Sequence, residues 1–156
     1  MKRILVEDVY RVHGMASVVV PEGTSLEEVV TRFAQGPGVR AIFLIDSRDR
    51  FAGLIAGIDL LKWIQLRFFG GRRSRGIAVS DVLRVVFATK AKDLARGDWR
   101  SLGVKPTDTL ETALEQMITH KEGTIPVLDD EGKILGDLRL SEVLQLSGEL
   151  DKEIRA

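Results

Sequence analysis

The chain carries the same stretch twice, and this limits its fold more than any other feature. Ala41-Ile-Phe-Leu-Ile-Asp46 aligns with Thr124-Ile-Pro-Val-Leu-Asp129 at an offset of 83 residues. In each copy a glycine, Gly53 or Gly136, follows the Asp by seven positions. Each copy reads as an apolar run, a polar turn, a second apolar run and a helix start, with the turn residues a hairpin requires. At 156 residues the chain is one ordinary domain, or two very small ones sharing a core. Each copy alone has half a core, so the two are expected to pack together.

The repeat extends in both directions. Ser17-Val-Val-Val-Pro21 is a β-branched strand, and residues 101–105, ahead of Pro106, are its expected counterpart. Ser25 with Glu28 fits a capping box, and Leu26, Val29, Val30 and Phe33 form one apolar helical face. Thr109 caps the matching helix, which presents Leu110, Ala113, Leu114 and Met117. Strands are expected at 41–45, 51–55, 124–128 and 134–138, and helices at 57–68, 79–88 and 141–147. The division is therefore residues 1–66 for the first copy and 92–147 for the second. A Gly/Arg-rich loop and linker helix occupy 67–91, and a charged tail, read as a fraying helix end, 148–156.

Lys+Arg and Asp+Glu both number 23, which weighs against a nucleic-acid binder and permits self-association. The absence of cysteine excludes disulfides, thiolate metal sites and a cysteine nucleophile. No apolar run reaches the roughly 20 residues of a membrane span, and Glu7-Asp8 interrupts any signal-like start. The expectation is a soluble, cytoplasmic protein. His13 and His120 stand at unmatched positions without ligand spacing, so no metal is expected. No nucleophile–base arrangement is recognisable, and no catalytic residue is assigned.

Asp8 and Asp93, Pro21 and Pro106, and Gly53 and Gly136 recur in one order in both copies, with Ile125-Pro-Val-Leu-Asp129 in the second. This ordered set resembles the cystathionine β-synthase (CBS) domain as a tandem pair, of the stand-alone prokaryotic kind. The resemblance implies an α/β fold of two β-α-β-β-α repeats packed as one pseudo-two-fold module, here with a helical insertion between them. It also implies flat homodimers formed through helices. It further implies adenine nucleotides (AMP, ADP, ATP) or S-adenosylmethionine bound in clefts between the repeats, with regulation of a partner as the role.

Members that bind nucleotides carry Gly, two apolar residues, Ser/Thr, two residues and Asp, the carboxylate accepting from the ribose hydroxyls. The first copy offers Gly53-Leu-Ile-Ala56-Gly57-Ile-Asp59, with Ala56 in the hydroxyl position and Gly57 opening the backbone. The second offers Gly136-Asp-Leu-Arg139-Leu-Ser-Glu142, with Arg139 and Glu142 substituted. Asp59 is the better candidate. Each acid is alternatively a helix-start carboxylate favoured by the dipole, and Arg139 either a phosphate contact or an exposed strand end. The adenine side is expected from Val19, Val20 and Pro21 with Arg40, Ala41 and Ile42. Its counterpart is Val104, Lys105 and Pro106 with Thr124, Ile125 and Pro126. Two other roles stay open. One is a ligand-free dimerisation scaffold. The other, less favoured, is nucleic-acid binding through Arg67, Arg72, Arg73 and Arg75 beside Phe68 and Phe69. The apolar surplus of Leu60, Leu61, Trp63, Ile64, Leu66, Phe68 and Phe69 is set either for a second subunit or for the insertion helix.

Overall fold

The structure is a computed structural model that describes residues 3–10, 17–36, 38–39, 41–70 and 79–155. These form two compact units, one of residues 16–97 and one joining residues 1–15 to 98–156.

In the unit of residues 16–97, β1 (Val18–Pro21) leads into α1 (Leu26–Gln35), and a hairpin of β2 (Ala41–Ile45) and β3 (Phe51–Ala56) runs into α2 (Gly57–Phe69). The sheet order is β1-β2-β3, with β1 parallel and β3 antiparallel to β2. The Ser25 hydroxyl accepts the Glu28 N–H at 3.3 Å, so α1 starts where its cap predicts. The hairpin turns on Asp46, whose Oδ1 accepts the N–H groups of Arg48 and Arg50. Val20, Leu26, Val29, Ile42, Leu44 and Ile55 form the core with Leu60, Trp63 and Leu66 of α2. The insertion helix α3 (Val79–Val86) adds Val85 to this core, and Ala88 follows it. The short α4 (Ala91–Leu94) closes it with Ala91 and Leu94.

In the other unit, α5 (Leu110–His120), the hairpin of β4 (Thr124–Leu128) and β5 (Ile134–Arg139), and α6 (Leu140–Arg155) repeat the same order. Asp129 Oδ1 takes the N–H groups of Glu131 and Lys133, matching Asp46. Both hairpins carry the same irregularity, between Leu44 and Ile45 and between Val127 and Leu128.

Two expectations are corrected. Residues 101–105 are not a strand: only Val104 bridges Val127, through Val104 N–H to Pro126 O and Leu128 N–H to Val104 O. Where the first copy has three successive valines, this copy has a turn around Asp98, which accepts from Arg100 and Ser101, and Gly103 at φ +121°. The final helix does not stop at 147; α6 continues through Gly148 to Arg155. Its last turns carry an Arg155–Asp151 ion pair at 3.3 Å.

The opening segment of each sequence copy is hydrogen-bonded to the helix start of the other copy. Val6 and Glu7 donate to Asp108 O and Pro106 O, and Leu110 donates to Ile4 O. Likewise Ala91 and Lys92 donate to Thr24 O and Glu22 O, and Leu26 donates to Thr89 O. Spatial units and sequence copies thus differ by one exchanged segment each.

Candidate functional site

Asp59 sits in the first turn of α2 and is 4% exposed. Its Oδ2 accepts the Ala56 N–H at 2.9 Å, closing the helix start, and a bond from Arg96 Nη2 at 3.1 Å. Ala41 pairs directly with Ala56 across the hairpin, so Ala41, Ile42, Ala56, Gly57 and Asp59 gather at one end of the sheet. Gly57 is half-buried beside Phe33, whose ring would stand 3.4 Å from a Cβ placed there. Pro21 pairs with Ile45, at the turn end. At about 3.3 Å per residue, that is roughly 13 Å along the sheet from Ala41. Val18 and the buried Ser17, not Pro21, supply the β1 end nearest Asp59. Arg40 lies outside the described residues.

Glu142 holds the equivalent place on α6. Its Oε1 accepts the Arg139 N–H at 3.0 Å and lies 3.3 Å from Arg139 Nε; its Oε2 is buried without a hydrogen-bond partner among the described residues. Arg139 also lies 3.6 Å from Asp137, a wholly buried carboxylate on β5. Thr124 pairs with Arg139 across this hairpin and is buried, as are Ile125 and Pro126. Arg139 and Glu142 line one cleft of about 300 Å³ with Asp8, Ser141, Gln145 and Glu149. Lys105 is elsewhere. It pairs with Asp130 at 3.0 Å, which raises its pKa, and lines a second cleft of about 360 Å³ with Trp99, Asp108 and Asp129.

Sequence reasoning missed Arg96, which lies 37 residues from Asp59 with no spacing rule to join them. It also missed Asp137, whose charge falls where the first copy has the buried Leu54. Of the arginine cluster, Arg67 pairs with Glu27 at 2.9 Å and lies 5.0 Å over the Trp63 ring. Arg72, Arg73 and Arg75 lie outside the described residues, as does His13. Among the described residues no group of three or more His, Cys, Asp or Glu is placed to hold a metal, and no helix is long and apolar enough to cross a membrane.

The family model of the CBS domain matches residues 6–66 and again 99–149. The chain belongs to the CBS domain family. A CBS domain-containing protein from Thermotoga maritima shares 28% identity and superposes with a TM-score of 0.71, over 92% of this chain and 94% of that one. A CBS domain protein from Pyrobaculum aerophilum, complexed with AMP, shares 19% identity at a TM-score of 0.66, covering 93% and 99%. The CBS domain pair of a third protein, in complex with 5′-methylthioadenosine and S-adenosyl-L-methionine, shares 13% at 0.67, covering 95% and 98%. No curated protein matches the chain. CBS pairs are typically regulatory rather than catalytic. Several CBS signature residues in this chain have structural tasks. Asp8 and Asp93 accept backbone N–H groups at the starts of the exchanged segments. Gly53, at φ +156°, lets residues 95–97 approach: a Cβ there would meet the Ala95 Cβ at 2.6 Å.

Proposed function

We propose that this CBS pair is a regulatory, non-catalytic module that binds an adenine nucleotide or S-adenosylmethionine and passes its occupancy to a partner protein. The observation that carries this reading is Asp59: its carboxylate is held at a helix start, beside Gly57 and the Ala41–Ala56 pair, where a diol needs an acceptor. The AMP complex of the Pyrobaculum protein and the S-adenosyl-L-methionine complex of the third protein support the ligand class. Ligand binding would shift the relative population of two arrangements of the module, by no more than its differential affinity for them.

Thermal melting with AMP, ADP, ATP and S-adenosylmethionine tests it. A ligand at about 100 times its Kd raises the midpoint by roughly 5–10 °C. Asp59→Ala should remove most of that shift and Glu142→Ala little of it. No shift with any of them at millimolar ligand would sink the reading.

The second reading, a ligand-free dimerisation scaffold, is favoured by one fact: both candidate carboxylates already contact an arginine of this chain. A homodimer belongs to either reading. Ile58, Leu61 and Phe68 are more than half exposed along one face of α2, with Phe69 beside them, a surface suited to a second helix. A cytoplasmic location completes the proposal. The nucleic-acid role has less support, since Arg67 is engaged by Glu27 and Trp63.

A further inference from the structure

We infer that Arg96 is an internal latch on the Asp59 carboxylate, and that an entering ribose must displace it. The inference rests on the nucleotide-binding reading above.

Asp59 is 4% exposed, and both of its hydrogen bonds fall on one oxygen, Oδ2. Of its two bonds, the one from Ala56 N–H closes the start of α2 and stays with the fold. The bond from Arg96 is the exchangeable one, because that side chain is 41% exposed and water can solvate it on release. A guanidinium and a vicinal diol both present paired donors, and a diol that spans both carboxylate oxygens meets Arg96 at Oδ2.

The placement is built into the backbone. Arg96 N–H donates to Leu54 O at 3.0 Å, and Leu54 N–H donates to Arg96 O at 2.9 Å, fixing residue 96 against β3. The bare Gly53 admits Ala95 and Gly97 on either side. The second unit reaches the same pairing by another route, with Arg139 on Glu142. Arg96 lies in the opening segment of the second sequence copy, three residues after Asp93, so the latch reaches the first copy's helix start through the exchanged segment.

Calorimetric titration with adenosine tests this, because an uncharged ligand isolates the Asp59 contact from phosphate electrostatics. Arg96→Gln should bind adenosine about fivefold tighter than the wild type, the scale of a partly exposed ion pair. Arg96→Lys, which keeps stem and charge, should gain less in the same direction. In the unaltered protein, adenosine affinity should rise with added salt as the ion pair is screened, and in Arg96→Gln it should be flat. Equal or weaker binding by folded Arg96→Gln, or a salt-independent wild type, overturns the latch and leaves the nucleotide reading standing. Absence of binding of adenosine and AMP by both proteins overturns the nucleotide reading and the latch with it.

Discussion

Carboxylates recur at one station in this molecule. Asp8, Asp59, Asp93, Asp108 and Glu142 each accept the backbone N–H of the residue three positions earlier: Leu5, Ala56, Lys90, Lys105 and Arg139. Asp93 shows what the station contributes. The N–H groups of Lys90 and Thr89 hold its carboxyl below the usual value of 3.8. A depressed folded pKa means the stabilisation is complete above the unfolded value and is lost as pH falls through the folded one. Melting midpoints should therefore be level near neutrality and decline below about pH 4. Asp93→Ala should cost about 1 kcal/mol at pH 7, read from urea denaturation, and blunt the acid decline. The residue type and position were legible in the sequence for Asp59 and Glu142. Their arginine partners differ: Arg139 lies within one turn of Glu142, whereas Arg96 reaches Asp59 from across the fold.

Among elements, α2 shows how a long apolar helix divides its surfaces. Leu60, Trp63 and Leu66 are buried against Val85 and Ala88, so the insertion helix does take part of the surplus. Leu61, Phe68 and Phe69 remain exposed. Trp63→Ala should cost about 3–5 kcal/mol by denaturant unfolding, since it empties the α2–α3 contact and removes the ring beneath Arg67. The hairpins and helix starts could be read from the sequence because turn residues and caps act within a few positions. Residues 101–105 could not. The alignment implied a strand, but Gly103 and the Asp98 turn override it locally, leaving one bridge at Val104. The last turns of α6 were legible only as a helix end, and they are regular because Gly148 costs only about 1 kcal/mol in a helix interior. The exchanged opening segments left no trace in spacing, because backbone-to-backbone bonds do not depend on which side chains they carry.

For the molecule as a whole, the exposed face of α2 is the natural place to test self-association. Leu61→Asp with Phe68→Asp should convert a dimer to a monomer in sedimentation, while leaving the far-ultraviolet spectrum unchanged, since both side chains already face solvent. A wild type that sediments as a monomer would refute the dimer. The exchange of opening segments also sets an order of assembly. The unit of residues 16–97 is one continuous length of chain, whereas the other joins residues 1–15 to 98–156. Synthesis delivers residues 4–7 well before residues 106–110. Yet Ile4, Val6 and Glu7 find their hydrogen-bond partners only when Pro106, Asp108 and Leu110 have emerged. Closing so long a loop is not prohibitive, because its entropic penalty grows only with the logarithm of length. Its timing is fixed all the same: these residues wait for about a hundred more to be made before their partners exist.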